Sequence, residues 1–231
     1  MSFAFPSRAS ADRAALAPLR EIGLFADLSD DDLDLIHAPI DQLQFRAGQN
    51  LYLEGSRAVG LYSLQSGLVK LARVTEDGRQ RVTRIVREGE IAGLEALATS
   101  RYDSDAIALN DVTVHRIPLE VVHRLSQQSP RLHPRLMQQW RQALKHTDDW
   151  LASINFGSAR QRVRQFVLKM RDAADPTITL LFSREDMGAM MDLKHETVSR
   201  EVSQLVREGA LQPLDKSGRV YRVQNPQLLM A

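Results

Sequence analysis

The chain contains 231 residues, of which 43% are hydrophobic and 26% are charged, so it can bury a real core and is not a disordered chain. Its formal net charge of +1 does not by itself indicate a nucleic-acid partner. The absence of cysteine excludes disulfides, thiolate zinc sites and cysteine-held iron–sulfur clusters. Because we find neither an apolar run that could span a bilayer nor a secretory signal, we expect a cytoplasmic protein with no membrane partner.

The N-terminal half changes texture along its length. Residues 1–17 are small, polar and arginine-containing, and we expect a flexible tail there. The segment LSDDDLDLI predicts a short helix, since Ser29 can cap it and three aspartates suit the dipole of its first turn. From Gln42 to Pro118, short runs rich in Val, Ile, Leu and Tyr are punctuated by glycine, and TEDGRQ is a hairpin signal. Many short strands in one block predict a small antiparallel barrel or sandwich.

A heptad-like stripe lies in the helical segment that follows Pro118. Its members recur at alternating steps of three and four residues: Met137, Trp140, Leu144, Thr147, Leu151 and Ile154. A second line runs beside it and consists of Leu136, Ala143 and Trp150. The stripe could pack on the barrel of its own chain or form the seam of a dimer. Two large tryptophans on a long helix between two domains favour the dimer.

The C-terminal third is the basic part of the chain. From Gly157 onward it has twelve Lys and Arg against nine Asp and Glu, whereas the preceding part has eighteen against twenty. Ser158 is placed to cap a new helix, and DAADPTIT, residues 172–179, predicts a break. Two short helices follow Ser183, and LQPLDKSGRVYRVQNP predicts two strands around a Lys-Ser-Gly turn. Two helices and a hairpin in a basic segment form the outline of a winged helix-turn-helix.

The second of these helices, within DLKHETVSREVSQL, is predicted to run from about Lys194 to Arg207. Three of its apolar residues share one side and should pack inward: Val198, Val202 and Leu205. Glu196, Ser199 and Arg200 fall at i, i+3 and i+4 on the opposite side. A carboxylate can accept a hydrogen bond from the N4 amino group of cytosine, and an arginine fork can donate to O6 and N7 of guanine.

Glu196 and Arg200 could instead form only an i,i+4 surface ion pair. The two-helix context, the hairpin and the local basic excess favour the base-reading interpretation. Ser183 and Arg184, at the N-terminus of the first helix, are well placed to hold a DNA phosphate. The predicted DNA-binding residues are therefore His195, Glu196, Ser199, Arg200, Ser183, Arg184, Thr197 and Lys194.

Four motifs, in order, resemble the CRP/FNR family of bacterial transcription regulators over nearly the whole chain. LFADLSDDDLDLI is similar to the helix that leads into the family's β-roll, and AGQNLYLEG and LYSLQSGLVKLARVTEDGRQ are similar to the strands and glycine turns of that roll. GEIAGLEAL resembles its ligand-cradle turn, and HETVSREVSQL resembles its recognition helix. The resemblance implies an α+β chain with an N-terminal antiparallel β-roll, like the jelly roll of cyclic-nucleotide-binding domains, a long dimerisation helix and a C-terminal winged helix-turn-helix.

The domain boundaries expected on this basis are a β-roll sensor domain at 18–128, the dimerisation helix at 129–156 and the DNA-binding domain at 157–231. The resemblance further implies a homodimer that binds a palindromic operator on double-stranded DNA and contacts RNA polymerase. The hairpin from Glu76 through Asp77 and Gly78 to Arg79 resembles a polymerase-contacting surface of the family. A solvated hairpin tip is the simpler interpretation of the same residues.

The FNR branch of the family carries Glu-x-x-Ser-Arg, which here falls on Glu196, Ser199 and Arg200 and implies half-sites similar to TTGAT. Three positions depart from the family pattern: His195 replaces a small apolar residue, Asp192 a turn glycine, and Lys194 a Ser or Thr cap. We expect Asp192 and Lys194 to cost a little local stability.

Cyclic AMP is not the expected effector. Its binders in this family use Gly-Glu-x-x-Gly-Glu and Arg-Ser-Ala, but here Gly93 is followed by Leu94 and the later triplet is Ser104, Asp105 and Ala106. The arginine for the cyclic phosphate is missing, and an aspartate would repel that phosphate. Haem is a candidate cofactor because some cysteine-free relatives bind it, but the histidines show no paired ligand spacing: His37, His115, His123, His133 and His146. A small organic effector and constitutive activity are equally open.

Two other classes of function compete with a DNA-binding regulator. A small-molecule or haem-binding sensor module could use its C-terminal helices for protein contacts in place of DNA. An enzyme has no support, since we find no nucleophile–base–acid order, no phosphate loop and no metal-ligand cluster. HETVS begins like the helix of a zinc protease but has Ser199 where the second histidine would stand. We therefore predict no catalytic and no metal-binding residue.

Overall fold

The computed structural model describes residues 19–36, 39–76, 78–154, 156–172, 174–216 and 218–230. The predicted flexible tail, His37 and Asp77 lie outside the described residues. The chain divides into two compact units. The first comprises Met1–Leu71 with Ile85–Leu144, and the second comprises Ala72–Arg84 with Lys145–Ala231. The predicted domain boundaries stay predictions.

Short strands dominate the N-terminal part of the described chain. They are β1 (Asp41–Phe45), β2 (Asn50–Tyr52), β3 (Gly60–Ser66), β4 (Val69–Val74), β5 (Gln80–Val86), β6 (Ile91–Ala92), β7 (Asp105–Ala108) and β8 (Val112–Pro118). One four-stranded sheet has the order β1-β8-β3-β6, and the other has the order β2-β7-β4-β5. The pairs β1–β8, β3–β8, β3–β6 and β2–β7 are antiparallel. Together with the helices below, these sheets confirm the predicted fold class.

Helices flank these sheets on both sides in sequence. Helix α1 (Asp30–Leu33) has the predicted cap: the Ser29 hydroxyl accepts a hydrogen bond from the Asp32 amide, and the Asp32 carboxylate accepts one from the Ser29 amide. The hydrogen bond from Ser29 lowers the pKa of Asp32 below its usual value. Helix α2 (Leu119–Gln128) begins directly after Pro118 and buries Val122 and Leu125 in the core of the first unit.

The long helix α3 runs from Leu132 to Ile154. Of the second apolar line, Leu136 is buried and Ala143 packs against the core of the first unit. Further along, Trp150 meets Phe166 edge to face, with the ring centroids 5.9 Å apart. The second line is therefore the side of the helix that packs on its own chain.

The C-terminal part of the second unit contains helices and a small sheet. Its elements are α4 (Ala159–Lys169), β9 (Ile178–Leu180), α5 (Arg184–Met191), α6 (His195–Arg207), β10 (Leu211–Pro213), β11 (Val220–Val223) and α7 (Gln227–Met230). Ser158 caps α4 as predicted, in a reciprocal capping box with Gln161. The strands lie in the order β10-β11-β9. Two helices followed by this hairpin confirm the predicted winged helix-turn-helix.

Strand β9 corrects the sequence analysis, which treats residues 172–179 as a break. Its register pairs Thr179 with Tyr221 and Leu180 with Val220. The Thr179 side chain is fully buried, and its hydroxyl donates a hydrogen bond to the carbonyl oxygen of Val167. Long-range pairing with β11 therefore outweighs the local turn signals.

None of the helices in the described ranges is long and apolar enough to cross a membrane.

Candidate DNA-binding surface

The turn between α5 and α6 brings the two helices close together. A Cβ atom on Gly188 would lie 2.5 Å from the carbonyl oxygen of Leu193, so only glycine allows this approach. Asp192 closes α5 in the left-handed region, with φ 54° and ψ 48°. Its carboxylate lies 2.6 Å from the guanidinium of Arg81. Arg162 donates to the carbonyl oxygen of Met191 at 3.0 Å, which ties the end of α5 to α4.

Helix α6 has one buried and one exposed side, as predicted. Val198, Val202 and Leu205 are each at most 2% exposed. Lys194 stands at the N-cap without a side-chain hydrogen bond, which agrees with its departure from the usual Ser or Thr. At the other end, the Glu208 carboxylate pairs with Arg160 at 2.6 Å, and this hydrogen bond lowers the pKa of Glu208. The helix is thus held along its buried side and at its C-terminal end, while its other side faces away from the core.

The outer side of α6 carries the predicted base-reading residues. The side chains of Glu196 and Arg200 are 69% and 65% exposed, and Ser199 is exposed between them. Glu196 lies 3.4 Å from the His195 imidazole, and Arg200 lies 3.6 Å from Glu201. The alternative i,i+4 ion pair is thus not the arrangement found, because each side chain instead contacts the residue next to it in sequence.

The remaining predicted DNA-binding residues differ in exposure. Lys194 and His195 are exposed, and Thr197 is half-buried. Ser183 and Arg184 are half-buried at the N-terminus of α5, where the Ser183 hydroxyl accepts a hydrogen bond from the Asp186 amide at 3.0 Å. These residues lie on the helix-turn-helix, so the phosphate-holding and base-reading predictions fall on one compact motif.

Sequence analysis missed one residue of this region, Tyr221 in β11. Its hydroxyl accepts a hydrogen bond from the Arg184 guanidinium at 3.0 Å, although the two residues are 37 positions apart. The alternation in VYRV predicts that Tyr221 faces inward, and it is 5% exposed. Alternation gives the direction of a side chain but not its partner, so the sequence carries no signal for this contact.

The apolar stripe of α3 is exposed along most of its length. The exposed fractions are 48% for Met137, 38% for Trp140, 64% for Leu144 and 51% for Leu151. Thr147 is half-buried. Ile154 corrects the prediction because it is fully buried. At the last turn of α3 its side chain lies within the chain's own interior and is not part of the exposed stripe.

The cradle segment, the part of the β-roll at residues 89–106 that resembles the family's ligand-cradle turn, contributes buried side chains to the core of the first unit. Leu94 is 2% exposed, and the Tyr102 ring stacks on Tyr52 with the centroids 3.8 Å apart. The Tyr102 hydroxyl donates to the carbonyl oxygen of Gly60 at 2.8 Å. Burial, aided by neighbouring Tyr102, raises the pKa of Tyr62 to about 12. These tyrosines form an ordered, largely dry cluster beside the segment.

The described residues contain no cluster of three or more His, Asp or Glu that could hold a metal ion. His115 is buried in β8, and its burial lowers the pKa of its imidazole. His123 and His133 are exposed and His146 is half-buried, on helices α2 and α3.

Comparison with known proteins matches both parts of the chain. Residues 42–129 match the cyclic nucleotide-binding domain, and residues 161–231 match the Crp-like helix-turn-helix domain. The fumarate nitrate reduction regulatory protein of Klebsiella oxytoca is 26% identical over 209 residues, which cover 87% of this chain and 82% of that protein. Its Escherichia coli K12 counterpart is 26% identical over 191 residues, or 80% of this chain and 76% of that protein.

Among solved structures, FixK2 from Bradyrhizobium japonicum is similar to this chain with a TM-score of 0.72 and 25% identity. The match covers 84% of this chain and 96% of FixK2. TTHB099, a CRP-family regulator of Thermus thermophilus, shares the fold with a TM-score of 0.69 at 22% identity, over 81% of this chain and 94% of that one. The Crp-like helix-turn-helix and the regulatory proteins among these relatives confirm the predicted class, a regulator that binds DNA and not an enzyme. With its nucleotide-binding-type β-roll followed by a Crp-like helix-turn-helix, the chain belongs to the CRP/FNR family of DNA-binding transcription regulators.

Proposed function

We propose that this regulator is a homodimer that reads a palindromic operator with TTGAT-like half-sites in the major groove. The observation that carries the proposal is the outer side of α6, where Glu196, Ser199 and Arg200 are exposed within the first two turns. The opposite side of the same helix is buried, so α6 can enter a groove without losing its packing.

The chemistry of these three side chains suits a G·C pair within each half-site. The Arg200 guanidinium can donate two parallel hydrogen bonds to O6 and N7 of guanine, and the Glu196 carboxylate can accept from N4 of cytosine. Because the two residues are one helical turn apart, they can reach the same base pair or adjacent ones. Ser199 lies between them and can donate or accept.

Five further residues would hold the DNA backbone or the outer bases. Ser183 and Arg184 sit at the N-terminus of α5, where backbone amides and the helix dipole favour a phosphate. Lys194, His195 and Thr197 lie in the turn and the first turn of α6. Phosphate contacts fix the register of a protein on DNA without reading its sequence, so the residues of this set that contact only phosphates should act equally on all duplexes.

The dimer is supported by the exposed stripe of α3. Four large apolar side chains, namely Met137, Trp140, Leu144 and Leu151, stand at heptad spacing on a helix of 23 residues. The second apolar line of this helix packs on its own chain, so the stripe is left for another partner. A second copy of the same helix fits, because heptad stripes pair knobs into holes.

For the effector we propose a molecule other than cyclic AMP, since Asp105 and the missing arginine disfavour a cyclic phosphate. The cysteine-free sequence leaves no ligands for a thiolate-held cluster. RNA polymerase is the protein partner proposed, with the exposed hairpin residues Glu76, Gly78 and Arg79 as the contacting surface.

Duplex binding tests the operator. We expect a duplex with two TTGAT-type half-sites to bind the protein in a gel-shift experiment far more tightly than a duplex in which each central G·C pair is replaced by A·T. A mismatched pair costs about 1–3 kcal/mol, and the symmetric operator contains two of them. Equal binding of both duplexes would refute the proposed base readout.

Sedimentation tests the dimer. A charge in the apolar seam should separate the subunits, so Leu144→Asp is expected to shift the protein toward monomer and to weaken operator binding by at least about tenfold. Leu53→Asp is the matched control, because Leu53 is 51% exposed but lies outside α3. A Leu144→Asp protein that stays dimeric would show that the seam is wrongly assigned.

A further inference from the structure

The wing strand holds an arginine of the helix-turn-helix in place. The Arg184 guanidinium donates through Nη2 to the Tyr221 hydroxyl at 3.0 Å and through Nη1 to the Met187 sulfur at 3.4 Å. Arg184 is the first residue of α5, whereas Tyr221 lies on β11. The hydrogen bond therefore links the predicted phosphate-holding end of α5 to the wing.

Tyr221 is a rigid support for this contact. It lies on the central strand of the three-stranded sheet, where it pairs with Pro213 on one side and Thr179 on the other. Its side chain is 5% exposed. A Cβ atom built on Gly218 would lie only 3.4 Å from the Tyr221 hydroxyl oxygen, so the turn of the wing also packs close to this oxygen. The oxygen that receives Arg184 thus has little freedom to move.

Arg184 keeps donors for an outside partner while it is held. A guanidinium has five N–H groups, and two of its nitrogens each use one of them here. The side chain is half-buried and not enclosed. A flexible arginine loses much rotamer freedom when it binds a phosphate, but one that is already fixed loses less.

We propose that Tyr221 is a positioning residue that pre-orients Arg184 for a DNA phosphate. This inference rests on the proposed function, because it takes the N-terminus of α5 to be a phosphate contact. Tyr221 itself is not required to touch the DNA. Its hydroxyl aims the cation, and the wing sheet fixes the hydroxyl.

A double-mutant cycle on the full-length protein tests the proposal. Tyr221→Phe removes the hydroxyl but keeps the ring, and Arg184→Ala removes the cation. Each variant and the double variant are titrated by fluorescence anisotropy with a TTGAT-palindrome duplex and with a shuffled duplex, over a series of salt concentrations. Tyr62→Phe, which removes a buried hydroxyl in the first unit, is the control.

We expect Tyr221→Phe to weaken binding about threefold to tenfold on both duplexes, because the lost hydrogen bond is to a charged group that acts in each subunit. The slope of log affinity against log salt should become shallower in Arg184→Ala by about 0.9 per lost phosphate contact, and in Tyr221→Phe by part of that amount. In the Arg184→Ala background, Tyr221→Phe should have no further effect. Tyr62→Phe should match the wild type.

Four results would overturn the proposal, and three of them concern Tyr221: a Tyr221→Phe protein that binds like the wild type, an unchanged salt slope, or a loss that persists in the Arg184→Ala background. The last result would assign Tyr221 to packing alone. An Arg184→Ala protein with full affinity would also overturn it, because no phosphate contact would remain to be aimed. Failure of the proposed base readout looks different, since both duplexes would then bind equally while the cycle still reports on Tyr221.

Discussion

The outer side of α6 and the cradle segment of the β-roll have opposite characters. On α6, Glu196 and Arg200 are about two-thirds exposed, and each contacts the side chain of the residue next to it in sequence. In the cradle, Tyr102 is 2% exposed, stacked on Tyr52 and hydrogen-bonded to the backbone of Gly60. The residues that match the family's DNA-reading strip are therefore exposed, whereas the side chains of Leu94 and Tyr102 in the cradle segment are buried in the core.

The difference corresponds to two different roles of side chains, one in contacting a partner and one in folding. A strip that recognises bases must keep its donors and acceptors unburied until DNA arrives, so its residues contribute little to folding. In the cradle segment, by contrast, Leu94 and Tyr102 belong to the hydrophobic core of the first unit and contribute to folding.

The largest expected effect tests whether the cradle is core. Tyr102→Ala removes a buried, stacked aromatic ring and its hydrogen bonds, and it should lower the free energy of unfolding by about 3–5 kcal/mol. Chemical denaturation followed by circular dichroism measures this change. Tyr102→Phe keeps the ring and should cost less, about 1–3 kcal/mol, because the backbone groups of Val59 and Gly60 lose the hydroxyl as their partner.

A Tyr102→Ala protein of unchanged stability would mean that the tyrosine cluster is not a packed part of the core. The contrast between an exposed α6 strip and a buried cradle segment would then be wrong, because the segment would be open enough to admit a ligand.

The next effect concerns binding and not folding. Arg200→Ala removes the predicted guanine contact and should weaken operator binding by about 1–3 kcal/mol per half-site, while thermal unfolding stays unchanged. Arg207→Ala is the charge-matched control, since Arg207 is exposed on the last turn of the same helix. Anisotropy titrations of both variants with the TTGAT palindrome and the shuffled duplex separate base reading from general charge.

Arg200→Ala should lose the preference for the palindrome, whereas Arg207→Ala should keep it. Equal losses of affinity in the two variants would show that Arg200 contributes only unspecific electrostatic attraction to DNA.

Much of this arrangement could be predicted from the sequence, because local patterns determined it. The burial of Val198, Val202 and Leu205 follows from helical periodicity, and the Ser29 and Ser158 caps follow from residue type and spacing. The strand-rich block was recognisable from alternation and glycine turns.

What the sequence could not supply depends on pairing at long range. Strand β9 forms because β11 lies beside it, against the turn signals of residues 172–179. Tyr221 reaches Arg184 across 37 positions. Ile154 continues the heptad spacing, but its side chain is buried. Periodicity could not predict this, because it does not show whether an apolar residue at a helix end faces solvent or the protein's own interior.

A smaller effect sharpens the comparison at the helix-turn-helix, where Asp192 stands in place of a turn glycine. Left-handed backbone costs an L-residue about 1 kcal/mol, and Asp192 has φ 54°. Asp192→Gly removes this cost but also loses the exposed ion pair with Arg81, which contributes at most about 1 kcal/mol. We expect a net gain in unfolding free energy of about 0.5 kcal/mol, measured by denaturant titration.

Asp192→Asn is the control, because asparagine tolerates the same backbone conformation but cannot form the ion pair. If Asp192→Gly is less stable than Asp192→Asn, the backbone at this turn is not strained and the Arg81 contact does not account for the difference.

The smallest effect returns to the β-roll and depends on pH. Burial lowers the pKa of His115 below its usual value of 6.5, although nearby Glu21 opposes the shift. Protonation therefore favours the unfolded chain, so the neutral histidine is fully compatible with the fold above pH 6.5 and stability is lost as the pH falls from 6.5 toward the lowered folded-state pKa. His115→Gln should remove this loss without adding a charge. Urea titrations at neutral and mildly acidic pH should show a smaller acid-induced decrease in unfolding free energy for the variant than for the wild type, and parallel decreases would place the acid sensitivity at other groups.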